Sequence, residues 1–366
     1  MSVDIGIIGL PKSGRTTVFN ALTGGQTDTS RYSRDAASSH LGVATVPEPR
    51  LKALADILKP KRVVSATVRY VDVGASVRDL AKGTGGPLLN QLSAVDALIN
   101  VVRSFRDDSL PHVAGSLDVD RDIGDMALEL TFSDLVLVER RIGRVTDSMK
   151  GARPPERAVL MKEQETLGKI KAALDAGTPV RELTLSLDEV KALSSFQLLS
   201  AKRLLIVVNI GEDQLGEATR MESDLNAHYG RAHSRAITLC GKLEMELAQL
   251  PPADAEVMRG SYGLTESGAD RVIKQSYELL GLITFFTIAS GEVRAWPITA
   301  GTEASRAAGK IHTDMERGFI RAEVIGYTDL LTCGGIAEAR KRGLLRLEGA
   351  GYTVQDGDVI TFLFNV

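Results

Sequence analysis

Gly9-Leu10-Pro11-Lys12-Ser13-Gly14-Arg15-Thr16-Thr17 places two glycines, two cations and three hydroxyls within nine residues. That is the chemistry of a phosphate-binding loop. Backbone N–H groups of a Gly-rich turn cradle anionic oxygens, a lysine reaches the β and γ phosphates, and a hydroxyl at the helix start ligates Mg²⁺. Pro11, Lys12, Ser13, Gly14, Arg15, Thr16 and Thr17 are therefore the candidate phosphate-binding residues, with Thr16 the candidate Mg²⁺ ligand. Arg15 stands where such a loop carries lysine. It keeps the charge, but a planar guanidinium is larger and forked, so the exchange is not conservative at a tight phosphate site.

Two elements must position this loop. Val3, Ile5, Ile7 and Ile8 form an apolar run that fits a buried parallel strand. Val18, Phe19, Ala21 and Leu22 then fall at helical spacing before Gly24. A loop between a strand and a helix N-terminus meets unpaired N–H groups and the positive end of the helix dipole, which favour an anion. The bland alternative is a Gly-containing turn of an ordinary α/β protein with no ligand.

Two further constellations follow buried strands. The run Val63 to Asp72 ends in an acid suited to the Mg²⁺ shell of a Walker B motif, or simply to capping the next turn. The run Leu204 to Asn209 leads into Asn209-x-x-Glu212, where a P-loop GTPase carries its base-reading Asn-Lys-x-Asp. An aspartate there accepts from guanine N1–H and N2–H₂. Adenine offers an acceptor at N1 and lacks the 2-amino group, so replacing that aspartate relaxes or reverses base choice. Asn209 is placed to hold the base through N7 and Ile210 to pack on its face; the alternative is an Asn that caps a strand end.

The remaining composition bounds the class. The 366 residues suffice for two or three domains, and 43% hydrophobic with 25% charged residues is an ordinary globular balance. No apolar run approaches the roughly 20 residues of a membrane span. The N-terminus lacks a basic secretory start, which leads us to expect a cytoplasmic protein without a membrane partner. Cys240 and Cys333 stand alone and the five histidines include no close pair, so neither a disulfide framework nor a zinc site is indicated. A net charge of −3 argues against a generally basic nucleic-acid coat.

Strands alternating with helical segments predict a mostly parallel sheet with helices on both faces. Residues 24 to 40 are rich in Gly, Ser, Thr and Asp and read as a loop that closes over a nucleotide. Residues 120 to 176 predict two long helices. Val138, Ile142, Val145 and Met149 repeat at 3.5-residue spacing, as do Leu160, Leu167, Ile170 and Leu174 after Pro154-Pro155. This antiparallel arm exposes Arg140, Arg141 and Arg144 on one helix and Lys162, Glu163 and Glu165 on the other, a solvated face or a partner surface. From Leu282 onward, short β-rich segments with one helix around Ala337 to Arg342 fit a small α+β or ubiquitin-like unit. Its bases include Arg306, Lys310, Arg317, Arg321, Arg340, Lys341, Arg342 and Arg346, but ten acids balance nine bases.

Several segments together resemble one family. Val46-Pro-Glu-Pro-Arg-Leu51, Lys59-Pro-Lys-Arg62, Val101-Val-Arg103, Asn209-Ile-Gly-Glu212, Ala307-Ala-Gly-Lys-Ile-His-Thr-Asp314 and Glu316-Arg-Gly-Phe-Ile-Arg-Ala-Glu323 are similar to the Obg-like ATPase (YchF) family. So is the ending Phe364-Asn-Val366. The resemblance covers essentially the whole chain. It implies a discontinuous P-loop nucleotide-binding domain over 1–117 and 203–281, a helical coiled-coil-like arm over 118–202, and a C-terminal TGS domain over 282–366. It also implies ATP or GTP as ligand, Mg²⁺ as cofactor, slow hydrolysis, and a ribosome or RNA-associated partner docking through the arm and the TGS domain. Gly241-Lys242-Leu243 resembles the family's loop closing the base site.

Three departures fall in the catalytic loops. Arg15 is one. Asp72-Val73-Gly74-Ala75 displaces the glycine whose N–H meets the γ-phosphate, and Ala36 replaces the switch threonine, with Ser38 and Ser39 nearby. Loss of pre-placed charge stabilisation costs a few kcal/mol of barrier, roughly a hundredfold in rate. No Gln or His follows Asp72 to orient water; Ser76 and Val77 occupy that neighbourhood. Arg15, Thr16 and Asp72 are the candidate catalytic set and Thr16 and Asp72 the metal set. Lys12 replaces an asparagine that the family uses near K⁺, so K⁺ is expected either to bind or to be replaced by the Lys12 ammonium; a lysine merely exposed on the loop is the plain alternative. Three functions remain open: a slow nucleotide hydrolase acting as a ribosome-associated switch, a catalytically impaired nucleotide-binding adaptor, and a plain RNA-binding protein.

Overall fold

The computed structural model describes residues 3–25, 39–73, 86–289 and 291–365. The loop expected over 24 to 40 lies largely outside these, as do Ala36, Ser38, Gly74, Ala75, Ser76 and Val77. The chain divides into two compact units, one of Asp4–Gly42 and Arg69–Val272, the other of Met1–Val3, Val43–Val68 and Ile273–Val366.

A six-stranded sheet carries the phosphate loop. Its strands are β1 (Val3–Gly9), β2 (Ser39–Thr45), β4 (Thr67–Val73), β5 (Ala97–Arg103), β6 (Arg203–Asn209) and β7 (Ser234–Leu239), in the order β2-β4-β1-β5-β6-β7. β1, β5, β6 and β7 pair in parallel. Strands buried on both faces need near-continuous apolar sequence, and every residue of β5 is buried. In such a sheet ligands bind beyond the carboxyl ends of the strands, where the order reverses. Here those ends deliver Leu10 after β1, Asp72 on β4, Ser104 after β5 and Asn209 on β6.

The two arm helices span Val119–Met149 and Pro154–Asp175. Asp118 caps the first by accepting from the Arg121 N–H at 3.0 Å, and Pro154 opens the second at a position that has no intrahelical N–H bond to lose. The spacing read from the sequence is the packing seam: Val138, Val145, Leu167, Ile170 and Leu174 are buried together, with Ile142, Met149 and Leu160 half-buried beside them. At the root of the arm the buried Asp134 carboxylate accepts from Leu199 N–H at 2.8 Å and Ser200 N–H at 2.7 Å. Burial outweighs these bonds and pushes its pKa up to about 6. Burial also pulls the nearby Arg181 down to about 10.

The second unit is an α+β sheet-and-helix body. β8 (Leu282–Ala289), β9 (Glu292–Thr299), β10 (Phe319–Gly326), β11 (Arg346–Glu348) and β12 (Asp358–Phe364) join β3 (Arg62–Val64) in the order β11-β10-β12-β8-β9-β3. The helix Ala304–Ile311 lays Ala304, Ala307 and Ala308 on Phe285, Ile298, Val324, Ile360 and Phe362. Of the basic residues here, Arg340 is paired with Glu323, Arg342 with Glu338, and Arg346 with Glu348 and Asp358.

Two expectations change. The run Val63 to Asp72 is two strands, not one: the chain breaks at Ser65 and Ala66, and Ala66 O accepts the Val46 N–H at 2.9 Å. Residues 43–68, expected in the nucleotide-binding domain, group with the C-terminal unit. The physical ties are the parallel pairing of β3 with β9 and Arg50, whose guanidinium reaches Asp356 at 2.7 Å while also bonding Glu48. Those two carboxylates raise the Arg50 pKa against the effect of burial.

Candidate functional site

The loop after β1 is bent by two left-handed residues, Lys12 at φ 67° and Gly14 at φ 85°. Ser13 N–H closes the turn on Leu10 O at 3.1 Å. Only glycine fits at 14, because a Cβ there would lie 2.2 Å from Asn209 Nδ2. The helix Arg15–Thr23 starts immediately after, with no side-chain cap and no acid in its first turn. Its first N–H groups have no intrahelical acceptor and nothing anionic in sequence to meet them. A phosphate fits that cradle.

Asp72 is 1% exposed and lies against the same turn. Thr16 Oγ1 donates to its Oδ2 at 2.8 Å, so a hydroxyl and a carboxylate, both hard oxygen ligands, stand together as Mg²⁺ requires. Arg15 Nε donates to Asp72 Oδ1 at 2.6 Å, with the arginine side chain 17% exposed. The candidate catalytic residues Arg15, Thr16 and Asp72 are thus in direct contact. Lys12 extends away from them, its Nζ donating to Pro111 O at 3.2 Å.

Asn209, 3% exposed, ties the loop to the start of the helix Gly241–Leu247. Its Nδ2 donates to Ser13 O at 3.1 Å and its Oδ1 accepts Gly241 N–H at 3.0 Å. Its own carbonyl accepts from Ser104 N–H at 2.8 Å and Phe105 N–H at 3.1 Å. One proton of Nδ2 is left over, enough for a base nitrogen. Glu212 sits between Lys242 Nζ at 3.4 Å and Tyr262 OH at 3.0 Å, and the carboxylate raises the pKa of both partners.

Some expected roles shift. Gly241, Lys242 and Leu243 open the helix Gly241–Leu247 rather than forming a loop. Ile210, just beyond β6, and Leu243, on the helix Gly241–Leu247, are 2% and 1% exposed and belong to the core cluster; neither side chain offers a free face to a base. Phe105, which sequence reasoning did not single out, stands beside Gly14 instead: its Cε1 would be 3.5 Å from a Cβ there. Arg103 holds that aromatic by stacking 4.6 Å from its ring centroid and donating to Phe105 O, Asp107 O and Leu110 O. Tyr262 is likewise not legible in the sequence, since no spacing links it to Glu212, fifty residues earlier. Among the described residues no cluster of three or more His, Cys, Asp or Glu could hold a metal by itself; Thr16 and Asp72 are the residues placed to meet one beside phosphate oxygens.

A Gly-bent turn, an uncapped helix start and an Asp on the neighbouring strand define a P-loop α/β protein. Residues 282–365 match the YchF-GTPase_C family, described as a protein of unknown function. The chain is 38% identical over 370 residues to the "Ribosome-binding ATPase YchF" of Bacillus subtilis, and 36% identical to the protein of that name from Haemophilus influenzae, covering all of both chains in each case. The Schizosaccharomyces pombe YchF GTPase superposes with TM-score 0.83 at 28% identity, over 99% of this chain and 98% of that one. A GTP binding protein from Pyrococcus horikoshii shares the fold at TM-score 0.60 and 17% identity, over 99% of this chain and 100% of that one. The chain belongs to the YchF, or Obg-like ATPase, family.

Proposed function

We propose that this chain binds ATP or GTP at the loop Pro11–Thr17 and hydrolyses it slowly as a ribosome-associated switch. The observation that carries the reading is the uncapped helix start at Arg15, framed by Thr16 on Asp72 and tied through Asn209 to Gly241. The names of the relatives, ribosome-binding ATPases, supply the partner and the reaction class.

Each residue has work to do. The first-turn N–H groups and Arg15 bind the phosphates. Bound Mg²⁺ would supply charge neutralisation across the β and γ oxygens, held by the Thr16 hydroxyl with Asp72 behind it. Asn209 fixes the distance between phosphate loop and base, and the spare Nδ2 proton orients the base. Glu212, longer than aspartate and already accepting from Tyr262 and Lys242, supports relaxed base choice rather than strict guanine reading. Partner docking fits the arm, where Arg140, Arg144 and Lys191 line an open groove without ion pairs among the described residues. The groove's acids are already held: Glu163 by Arg141, Asp188 by Lys162 and Glu189 by Lys169.

Calorimetric titration of ATP and of GTP, with Mg²⁺ and with K⁺ or Na⁺, tests the reading. We expect saturable binding and a slow Mg²⁺-dependent phosphate release abolished by Thr16→Ala. Absence of binding by either nucleotide would overturn it. Arg15 on Asp72 favours one second reading, a nucleotide-binding adaptor that no longer hydrolyses; binding without any Thr16-dependent phosphate release would establish that instead.

A further inference from the structure

The geometry points to Arg15 as a built-in counter-cation that joins Asp72 to the nucleotide phosphates, so that this chain binds nucleotide with little need of Mg²⁺. The inference rests on the nucleotide-binding reading above and concerns the residue by which the loop departs from its kind.

A divalent ion in a P-loop site does two things: it neutralises phosphate oxygens, and it connects them to an acidic strand end. Asp72 is that strand end, buried, with both carboxylate oxygens engaged by the chain itself. Thr16 Oγ1 donates to Oδ2 at 2.8 Å and Arg15 Nε to Oδ1 at 2.6 Å. Because Arg15 is the first residue of the helix Arg15–Thr23, the guanidinium is anchored beside the uncapped N–H groups where a phosphate fits. Nε accounts for one of its five N–H donors; among the described residues no bond holds either Nη group. A guanidinium with its inner edge on a carboxylate and its outer fork free matches a phosphate in bidentate fashion.

Lysine cannot divide itself this way. Its single ammonium is a compact point charge that serves the phosphates or the carboxylate, leaving the other contact to the metal. To bring a hydrated Mg²⁺ against Asp72 in this chain, the Nε contact to Oδ1 must open. The same pairing therefore makes metal-free binding favourable and places the metal in competition with a residue of the protein.

The test is calorimetric titration of ADP and of ATP into the full chain, in excess EDTA and in saturating Mg²⁺, for wild type, Arg15→Lys and Arg15→Gln, with circular dichroism confirming that each variant folds. Wild type should bind with a Kd in EDTA within about threefold of its value in Mg²⁺, since one guanidinium supplies the bridge. Arg15→Lys should restore metal dependence of roughly tenfold or more, and Arg15→Gln should bind only with Mg²⁺. Wild-type affinity that collapses in EDTA as far as that of Arg15→Lys overturns the inference. So does an Arg15→Gln variant that binds in EDTA as wild type does. Failure of wild type to bind ADP or ATP under either condition is a different result, because it removes the adenine-nucleotide reading itself, and the same titration with GDP and GTP then decides the inference.

Discussion

Replacing Asn209 by alanine removes a side chain that joins the phosphate loop to the start of the helix Gly241–Leu247. The Asn is 3% exposed, and both ends of its amide are spent within the protein, on Ser13 O and on Gly241 N–H. Truncation leaves a buried carbonyl and a buried N–H without partners, at about 1–3 kcal/mol each; at about 1.5 kcal/mol for each, about 3 kcal/mol is expected for the pair. For a unit of this size that lowers the melting temperature by roughly 6–12 °C. Asn209→Asp is expected to be at least as harmful, since it keeps an acceptor for Gly241 but turns a carboxylate oxygen toward Ser13 O. Urea unfolding without nucleotide, followed by far-UV circular dichroism, measures the loss directly. If Asn209→Ala unfolds at the wild-type midpoint while nucleotide affinity falls, Asn209 is a base reader only and the tie described here is energetically idle.

Other perturbations reach different parts of the chain. Gly14→Ala, at φ 85° and with its Cβ 2.2 Å from Asn209 Nδ2, should cost more than the roughly 1–2 kcal/mol of left-handed backbone alone and abolish nucleotide binding; calorimetry on the folded variant checks it. Burial pushes the Asp134 pKa in the folded protein up to about 6, from 3.8 for a free aspartate, so its contribution is fully present below pH 3.8 and is lost as pH rises through about 6. Asp134→Asn should therefore gain on wild type by up to about 3 kcal/mol between pH 4 and pH 7, read by urea midpoints across that range; parallel pH profiles for the two proteins would contradict it. Substituting Arg140 and Arg144 together by alanine should lower the slope of log affinity against log salt for a short RNA duplex by roughly 1.8, about 0.9 per lost phosphate contact. An unchanged slope would exclude that groove as a phosphate contact.

Much of the architecture is legible in local sequence. Leu204 to Asn209 and the first β-rich segment from Leu282 read as strands because buried strands need nearly unbroken apolar or β-branched residues, and they are strands. Val138, Val145, Leu167 and Ile170 read as an arm seam because helical packing repeats, and they are buried there. Glycine at 14 is legible because a turn into a helix needs its backbone freedom. What local sequence does not carry is pairing between distant segments. Nothing near Val63 announces Val293 as its neighbour, and nothing near Glu212 announces Tyr262. Arg15 could be seen as a departure from lysine. That its Nε lands on Asp72, 57 residues away, depends on β4 lying next to β1 in the sheet. The helices Ala304–Ile311 and Tyr327–Cys333 are not legible for another reason: each is short, and alanines or threonines replace the larger apolar residues that make periodicity visible.

The excursion of residues 43–68 into the C-terminal unit sets an order for biosynthesis. β3 is made early, yet its partner β9 begins at Glu292, 228 residues after Val64, and Asp356 follows later still. At translation rates of about 5–20 residues per second, that segment waits on the order of 10–50 s for the strand it completes. During the wait, Val63 and its neighbours present an unpaired strand edge, the kind of surface that nascent-chain chaperones hold. A fragment begun at Leu282 would have the reverse defect, with β9 exposed along the edge that β3 covers. The smallest piece of this protein able to reproduce its C-terminal unit is therefore not a contiguous one.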